Sequence, residues 1–266
     1  MPKTGVPDTN NVAANIVCHR FSDDKWVQTS LYVPSETELT IYVNQQELVA
    51  ILCTPTKLDF LVLGFLYAEE IISGIDDVAS MRMCDDVSLV DVRLVNPDFQ
   101  LPTQRTLTSG FGAGTTFKHH GHGQKVNSNF VITPMEVLSL MEQLLEQMEL
   151  YKLSGGVHTS ALADTGNLLV MAEDIGRHNT LDKIQGECLF RKLPTQDRLL
   201  LSTGRISSEM LLKAAKMGLP IIVSRHSPTK NAVSLAADLG ITLVGHARGE
   251  QLQVYSHPER LGCPAS

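Results

Sequence analysis

Several features that are typical of large protein classes are scarce in this sequence, and the first of them is cysteine. Its 266 residues include five cysteines, and no two of them are spaced C-x-x-C. An odd and scattered set is typical of reduced thiols rather than of a disulfide framework, and it offers no pair of zinc ligands. We therefore expect no disulfides and no cysteine-based metal site.

Positive charge and long apolar runs are also scarce. With 22 lysines and arginines against 29 acids the net charge is −7, which argues against general nucleic-acid binding but permits a local basic site for a phosphate-bearing ligand. The longest apolar run, Leu58–Ala68, is too short to cross a bilayer, and the polar first fifteen residues lack the apolar segment of a signal peptide. We expect a cytoplasmic protein without a membrane partner.

The first half of the chain predicts a mixture of strands and helix. Residues 38–53 and residues 80–95 each predict two strands around a polar turn. Between them, Thr56 is typical of an N-cap and predicts a helix from Lys57 to about Ile72. These elements indicate an N-terminal α+β subdomain, residues 1–125, that ends in a glycine- and histidine-rich segment.

The second half, residues 126–266, has a more regular pattern. A capping box at Thr133 predicts a helix start. Apolar residues at helical spacing then predict a buried stripe of that helix: Met135, Leu138, Met141, Leu145 and Met148. After a hairpin within residues 157–174, strands and helices alternate to about Ala247, which predicts parallel strands with helices packed on a buried sheet.

Ligands of such sheets bind beyond the carboxyl ends of the strands. Four polar segments follow predicted strand ends and should converge on one edge: residues 173–179, 202–205, 224–229 and 245–249. They contain arginines, hydroxyls and glycines, which suit phosphate groups because arginine binds them bidentately and glycine allows close backbone approach.

Each of these groups also has an ordinary structural interpretation. Glu173 and Asp174 can form an ion pair with Arg177. Ser202 and Thr203 can cap the helix that follows them, and Ser227-Pro228-Thr229 can cap the next one. His158, His226 and His246 can be histidines with satisfied hydrogen bonds in the core or in turns. The functional interpretation depends on convergence and not on any single residue.

The segment Thr108–Gly123 has five glycines and three histidines, and by itself it fits an active-site loop, a phosphate cradle, a metal site or a linker. His119, His120 and His122 lack the helical i, i+4 spacing of a metal pair and have no acid or cysteine nearby. No G-K-[ST] follows, so it is not a P-loop. We expect no metal site.

Five ordered motifs resemble the FdhD/NarQ family, and the similarity extends from about Glu38 to Leu261. The motifs are TPTKLDFLVLGFLYAEEII, SGGVHTSA, EDIGRHNTLDKIQGE, STGRISSEMLLKAA and SPTKNAVSLAADLGITLVG. The resemblance implies a cytidine-deaminase-like α/β fold, a three-layer sheet with helices on both faces, preceded by an α+β portion. It also implies a cytoplasmic, homodimeric accessory protein that carries sulfur from a cysteine desulfurase onto the molybdenum cofactor of formate dehydrogenase.

The family binds bis-molybdopterin guanine dinucleotide, for which GDP serves as a mimic. Its cofactor contact maps here onto six consecutive residues: His246, Ala247, Arg248, Gly249, Glu250 and Gln251. The acid and amide at Glu250 and Gln251 depart from the positive and glycine character common there. The convergent segments add five further candidate cofactor-binding residues: His158, Arg177, His178, Arg205 and Ser227.

A larger departure falls within Thr108–Gly123, where the family carries a C-x-x-C on a mobile loop. The glycine spacing aligns Phe111 and Gly114 with the two cysteines, and neither can form a persulfide because sulfur relay needs a thiolate. Cys263, near the end of the sequence, is the least unsuitable substitute. We assign no catalytic residue, and the alternative function is a cofactor-binding chaperone or paralogue without sulfurtransferase activity. A zinc deaminase is a weak alternative because such an enzyme needs P-C-x-x-C together with H-x-E, and the sequence has no P-C-x-x-C.

Overall fold

The computed structural model describes residues 12–84, 87–98, 100, 105–107, 115–117 and 124–263. The first elements of the described part form a hairpin that the sequence patterns did not predict. Its strands are β1 (Ala13–Ser22) and β2 (Lys25–Pro34), which pair with each other along their full length in a separate two-stranded sheet. Two short strands later in the chain, β7 (Arg105–Leu107) and β8 (Thr115–Phe117), also pair with each other.

The two hairpins predicted within residues 38–53 and 80–95 are confirmed, and together they form one four-stranded sheet. Its order is β4-β3-β6-β5, in which β3 and β6 are parallel. The elements are β3 (Thr37–Val43), β4 (Gln46–Cys53), helix α1 (Leu58–Ala68), a 3-10 turn (Ile75–Asp77), β5 (Val78–Met83) and β6 (Leu89–Leu94). Helix α1 is buried on nearly all sides, which explains its apolar composition.

The predicted start of α1 is wrong. The N-cap is Lys57, in the left-handed conformation at φ 51°, and it makes no side-chain cap hydrogen bond. The Thr56 hydroxyl instead accepts a hydrogen bond of 3.1 Å from the Lys183 ammonium, a tertiary contact that local spacing does not reveal. The helix also ends at Ala68, four residues before the predicted Ile72.

The second half forms a six-stranded sheet in the order β10-β9-β11-β12-β13-β14. Strands β11, β12 and β13 are parallel, as predicted, whereas β9, β10 and β14 are antiparallel to their neighbours. The strands are β9 (His158–Ala163), β10 (Leu168–Asp174), β11 (Leu199–Ser202), β12 (Ile221–Ser224), β13 (Thr242–Arg248) and β14 (Gln251–Ser256). The helices are α2 (Pro134–Gln147), α3 (Glu149–Ser154), α4 (Arg177–Arg191), α5 (Ser208–Lys216) and α6 (Lys230–Leu239).

Alternating strand residues separate the sheet's two faces, as a period of two requires. Leu200, Ile222 and Leu243 pack with the apolar faces of α4, α5 and α6. Leu201 and Val223 pack on the other face, against α2. The predicted three-layer α/β architecture is therefore confirmed, with three helices on one face and one on the other.

The apolar stripe of α2 is only partly as predicted. The capping box is present, since Thr133 and Glu136 bond each other's backbone N–H groups. Leu138 and Met141 are buried, but Met135 is 71% exposed. The buried face is Val137, Leu138, Leu140, Met141 and Leu144, and the helix breaks at Met148 before α3 begins. Met135 lies on the side of α2 opposite this buried face, so it is exposed.

The two halves meet where α1 crosses α4 with almost no space between their backbones. A Cβ at Gly64 would overlap the Asp182 carbonyl, and a Cβ at Gly186 would overlap the Phe60 carbonyl. The large apolar clusters each lie on one side of residue 125, while a small one joins Val12 and Ala13 to Leu150 and Val157. The boundary at residue 125 stays a prediction.

The helix crossing generates a stability prediction. Gly186→Ala should lower the free energy of unfolding by about 3 kcal/mol, because the backbones must separate to admit the methyl group. The matched control is Gly166→Ala, where nothing lies within 4 Å of the new atom, and it should change stability by less than about 0.5 kcal/mol. Urea unfolding measures both, and equal effects would contradict the close crossing.

Candidate functional site

The four predicted segments do converge at one edge of the six-stranded sheet. Strand β10 ends at Asp174, which pairs with His158 at the start of β9. Strand β11 ends at Ser202, directly beside Ser224 at the end of the parallel strand β12. The carboxyl end of β13 lies next in the sheet order. Residues from five separate stretches of sequence therefore share this edge.

A chain of hydroxyl groups fixes the backbone of this edge. The Ser160 hydroxyl bonds that of Ser202 at 3.0 Å, and Ser202 Oγ accepts the N–H of Gly204 at 3.1 Å. The Ser224 hydroxyl donates to the Gly204 carbonyl at 2.7 Å and accepts the N–H of His226 at 2.9 Å. These serines are buried, so their role is to hold the two strand ends in register.

Side chains of the candidate site pack closely against the backbone at Gly204. A Cβ there would lie 3.1 Å from the Cβ of Arg177 and 3.4 Å from Nδ1 of His158. Arg177 is the first residue of α4, and that helix has neither a side-chain cap at its N-terminus nor an acid in its first turn. The helix start and the guanidinium therefore both favour a negatively charged ligand.

Four arginines belong to this edge: Arg177, Arg205, Arg225 and Arg248. The Nε atoms of Arg177 and Arg225 are shielded from solvent and lack a hydrogen-bond partner among the described residues. Burial, and then the charge of Arg205, lower the pKa of the Arg177 guanidinium. Unused buried donors and mutual repulsion are what a bound phosphate would relieve.

Arg248 joins the end of β13 to the loop after β12. Its Nε donates to the Arg225 carbonyl at 2.8 Å, and its Nη2 lies 3.1 Å from His226 Nδ1. Burial, and then Arg248, lower the pKa of His226, so its ring favours the neutral form. The neighbouring Ser227 hydroxyl lies 2.8 Å from Nε2 of His246. Residues 225–227 and 246–248 thus form one connected surface.

The other two candidate histidines lie beside α4 and α5. Burial, and then Arg177, lower the pKa of His158. His178 Nε2 lies 3.2 Å from a carboxylate oxygen of Glu209, in the first turn of α5, and 3.5 Å from the Ser207 hydroxyl. His178 therefore has a partner in the fold, while His158 faces mainly positive neighbours.

The residues from His246 to Gln251 differ in what they can offer a ligand. Ala247 is fully buried in the core, so it can offer a ligand only its backbone. Gly249 and Glu250 form the turn between β13 and β14, and Arg248 pairs with Gln251 across it. His246 has a φ of 53° at the irregularity in β13, which turns this stretch away from a regular strand.

Glu173 and Asp174 have structural roles, as one interpretation predicted, but their partner is not Arg177. Asp174 pairs with Lys183 at 2.6 Å, and both side chains are completely buried. The Glu173 carboxylate accepts the N–H groups of Leu150 at 2.8 Å and Tyr151 at 3.0 Å and so caps helix α3. Neither acid forms an ion pair with Arg177 in the structure.

Lys183 is the residue that sequence reasoning missed. Besides Asp174, its ammonium contacts the Thr54 carbonyl at 3.1 Å and the Glu173 carbonyl at 3.3 Å. Asp174 in turn accepts from the Thr54 N–H at 3.1 Å and the Gly176 N–H at 2.8 Å. The pair therefore ties the turn before α4 to the N-terminal half. The only signal in the sequence was a lysine between the apolar residues Leu181 and Ile184.

Several expectations concern residues for which the structure gives no account. Phe111, Gly114, His119, His120 and His122 lie outside the described residues. Within the described ranges, no group of three or more histidines, cysteines and acids is arranged to hold a metal ion. None of the helices in the same ranges combines the length and apolar character needed to span a bilayer.

Comparisons with known proteins agree on one family. The model of the FdhD/NarQ family matches residues 34–262. Sulfur carrier protein FdhD of Staphylococcus haemolyticus is 37% identical over 248 residues, which cover 91% of this chain and 94% of the relative. The protein of the same name from Staphylococcus aureus strain Newman is 39% identical over 249 residues, with the same coverage.

A solved structure shows the same fold. The crystal structure of a protein described as a formate dehydrogenase accessory protein, from Desulfotalea psychrophila, aligns with a TM-score of 0.79 at 25% identity. The alignment covers 94% of this chain and 99% of that chain. The likeness therefore includes the N-terminal half as well as the six-stranded sheet.

The buried ion pair generates the prediction of this subsection. Lys183→Met should lower the free energy of unfolding by about 3–5 kcal/mol, because it leaves the Asp174 carboxylate buried without a counter-charge. The control is Lys57→Met, which breaks a pair whose lysine is 37% exposed and should cost about 1 kcal/mol or less. Chemical denaturation compares them, and a small effect at Lys183 would refute its structural role.

Proposed function

Because the chain belongs to the FdhD/NarQ family, we propose that it is a formate dehydrogenase accessory protein that binds the phosphate-bearing end of the bis-molybdopterin guanine dinucleotide cofactor. The observation that carries the proposal is the gathering of four arginines at one sheet edge in a chain of net charge −7. Two of them present buried Nε donors without partners among the described residues. This edge of the six-stranded sheet therefore offers a ligand oriented hydrogen-bond donors as well as positive charge.

The residues fit a pyrophosphate group better than a single carboxylate. Arg177 and the uncapped start of α4 form one donor group, near Gly204 and His158. Arg248 with His226 forms a second, reached through the loop after β12. The first group lies against the end of β11 and the second against the loop after the neighbouring strand β12, so the two groups suit two linked phosphates.

Sulfur transfer is the finer part of the function, and the placement of the cysteines favours cofactor binding without it. Burial raises the pKa of Cys53 and of Cys188 to about 12, which keeps both as unreactive thiols. Cys84 follows β5 in the N-terminal sheet. The backbone of Cys263 bonds Pro258, in the segment packed at Thr242, where β13 begins. Cys263 therefore lies toward the opposite edge of the sheet from the arginines.

We accordingly propose that the chain holds the cofactor for formate dehydrogenase and that its own cysteines do not carry the sulfur. A cysteine desulfurase and a homodimeric state remain expectations from the family resemblance. All five cysteines lie within the described residues; Cys53 and Cys188 are buried, and Cys263 lies toward the sheet edge opposite the arginines. The missing C-x-x-C supports the same conclusion from the sequence alone.

Nucleotide titration tests the binding site. GDP should bind the wild-type chain, and Arg177→Ala and Arg248→Ala should each weaken binding about tenfold or more, as expected for loss of a charged hydrogen bond. The matched control is Arg93→Ala, an arginine of the N-terminal sheet that pairs with Asp91. Isothermal calorimetry gives the affinities, and equal binding by all four proteins would refute the site.

The pH dependence supplies a second readout of the same titration. His158 and His226 have pKa values lowered from their ordinary range, so both are mainly neutral near pH 7 in the free chain. A bound phosphate favours their protonated forms, so binding should strengthen from pH 8 to pH 6 with net proton uptake. His158→Gln with His226→Gln should reduce the uptake, which calorimetry in buffers of different ionisation enthalpy measures.

A persulfide assay tests the absence of sulfur carriage. After incubation with a cysteine desulfurase and cysteine, mass spectrometry should find no persulfide on this chain, whereas a family member with an intact C-x-x-C should be labelled under the same conditions. A persulfide on Cys84 or Cys263 that disappears on substitution by serine would contradict the proposal. It would leave the nucleotide site itself intact.

A further inference from the structure

Strand β10 is one of the two edge strands of the six-stranded sheet. It pairs with β9 on one side only, so the backbone groups on its other side point away from the sheet. A row of such groups is a template to which an extended strand of another molecule can add. The sequence of β10 favours such addition, because its first five residues, 168–172, are all apolar. The opposite edge strand, β14, has glutamines at alternate positions instead.

Three carbonyl groups of β10 are hydrogen-bonded by cationic side chains. The contacts are Glu173 O with Lys183 Nζ at 3.3 Å, Met171 O with Lys57 Nζ at 2.8 Å, and Leu169 O with Arg191 Nη1 at 3.5 Å. Alternate residues of a strand direct their carbonyls to the same side, and β9 lies on the other side. These carbonyls are therefore the acceptors that an added strand would need, and cations already bind them.

The spacing of α4 matches the spacing of these carbonyls. Lys183, Glu187 and Arg191 recur every four residues, so they share one face of α4 and lie about 6 Å apart along its axis. Carbonyls on one side of a strand are about 6.7 Å apart. The bound carbonyls run from residue 173 back to 169 as the helix runs forward. The helix thus lies antiparallel to β10 and offers one side chain near each carbonyl.

Glu187 holds the two partly exposed cations in place. Its Oε2 lies 2.6 Å from Lys57 Nζ, and its Oε1 lies 3.0 Å from Arg191 Nη1. The Glu187 side chain is 12% exposed, whereas those of Lys57 and Arg191 are 37% and 50% exposed. Two long side chains that would otherwise extend into water are therefore held across the edge of the strand.

The exposed part of this row contributes little to the stability of a single molecule. Ion pairs that water reaches this easily are individually weak, because solvent screens them and the long side chains lose conformational freedom. An incoming strand meets a larger obstacle. It would have to displace both cations from the carbonyls and from Glu187, which would leave a mostly buried carboxylate without its partners.

We propose that Lys57, Glu187 and Arg191 form an edge guard, a set of side chains that prevents an extended strand of another molecule from adding to β10. Lys183 completes the row at the end of the strand where Asp174 already holds it. Because Lys57 precedes α1 and the other members belong to α4, the guard forms only when the two halves of the chain have packed together. The guard acts on association between molecules and not on the folding of one.

Aggregation kinetics test the edge guard. Lys57→Gln combined with Arg191→Gln should aggregate roughly tenfold faster than the wild type or more, because the carbonyls of β10 are then free. The matched control combines Lys216→Gln with Arg93→Gln. It also removes one lysine and one arginine paired with carboxylates, and Lys216 also donates to a carbonyl, but that carbonyl belongs to α1. Light scattering measures the rates, and equal rates for the two double variants would overturn the proposal.

Two further measurements separate the edge guard from a loss of stability. Urea unfolding should give the two double variants similar free energies of unfolding, because both lose ion pairs that are partly exposed. Hydrogen exchange read by mass spectrometry should find new protection in the aggregates at residues 168–174, the backbone to which a strand would add. Aggregation that follows a lower free energy of unfolding, with new protection away from β10, would overturn the proposal.

A conservative variant tests the part played by the positive charges. Lys57→Arg combined with Arg191→Lys keeps a cation at both positions and should aggregate no faster than the wild type. Fast aggregation of this variant would show that the charges do not protect the edge and would also overturn the proposal. Arg191 ends α4 and Arg177 begins it, so the edge guard is tested separately from the nucleotide site.

Discussion

The buried pair of Asp174 and Lys183 is the constraint around which the two halves of the molecule are arranged. Two opposite charges shielded from water are tolerated only when all of their hydrogen-bonding capacity is used. Here the partners come from both halves, because the backbone of Thr54 bonds both members of the pair and the turn at Gly176 bonds the aspartate. Satisfying the charges thus forces the end of β4 against the start of α4. Arg177, one residue after that turn, is placed at the sheet edge as a result.

The arginine edge illustrates how an acidic chain can still attract an anion. The overall charge of −7 repels anions from most of the surface. A local group of arginines makes the electrostatic potential positive at one place, where strand ends and a helix start already direct free N–H groups outward. The histidines extend the same surface without adding full charges, because burial and neighbouring guanidinium groups keep His158 and His226 neutral. Buried serines beneath them hold the frame rigid, so the donors are positioned before any ligand arrives.

The alternating strands and helices of the second half were predictable because their signals are local in the sequence. These signals are the apolar residues of the strands, the glycines that end the helices and the residues that cap them. The convergence of the arginine segments followed from topology alone. Lys183 was not predictable, since its partners lie as far as 129 residues away and a lysine in a helix normally faces water. The hairpin of β1 and β2 was not predicted for a different reason. The described residues bury neither of its faces over most of its length, so its strands lack the alternation that one-sided burial imposes. The predicted N-cap at Thr56 was wrong because its hydroxyl accepts a hydrogen bond from the Lys183 ammonium instead of capping the helix.

The glycine crossing of α1 and α4 also bears on the order in which the chain is made. Helix α1 and its sheet leave the ribosome well before Gly186, the residue that allows α4 to approach them. At ordinary rates of synthesis this interval is on the order of 10 s, during which the apolar surface of α1 meant for α4 has no partner from its own chain. In a nascent chain this apolar surface of α1 is therefore exposed until α4 has been made. The interval closes only when the second half emerges.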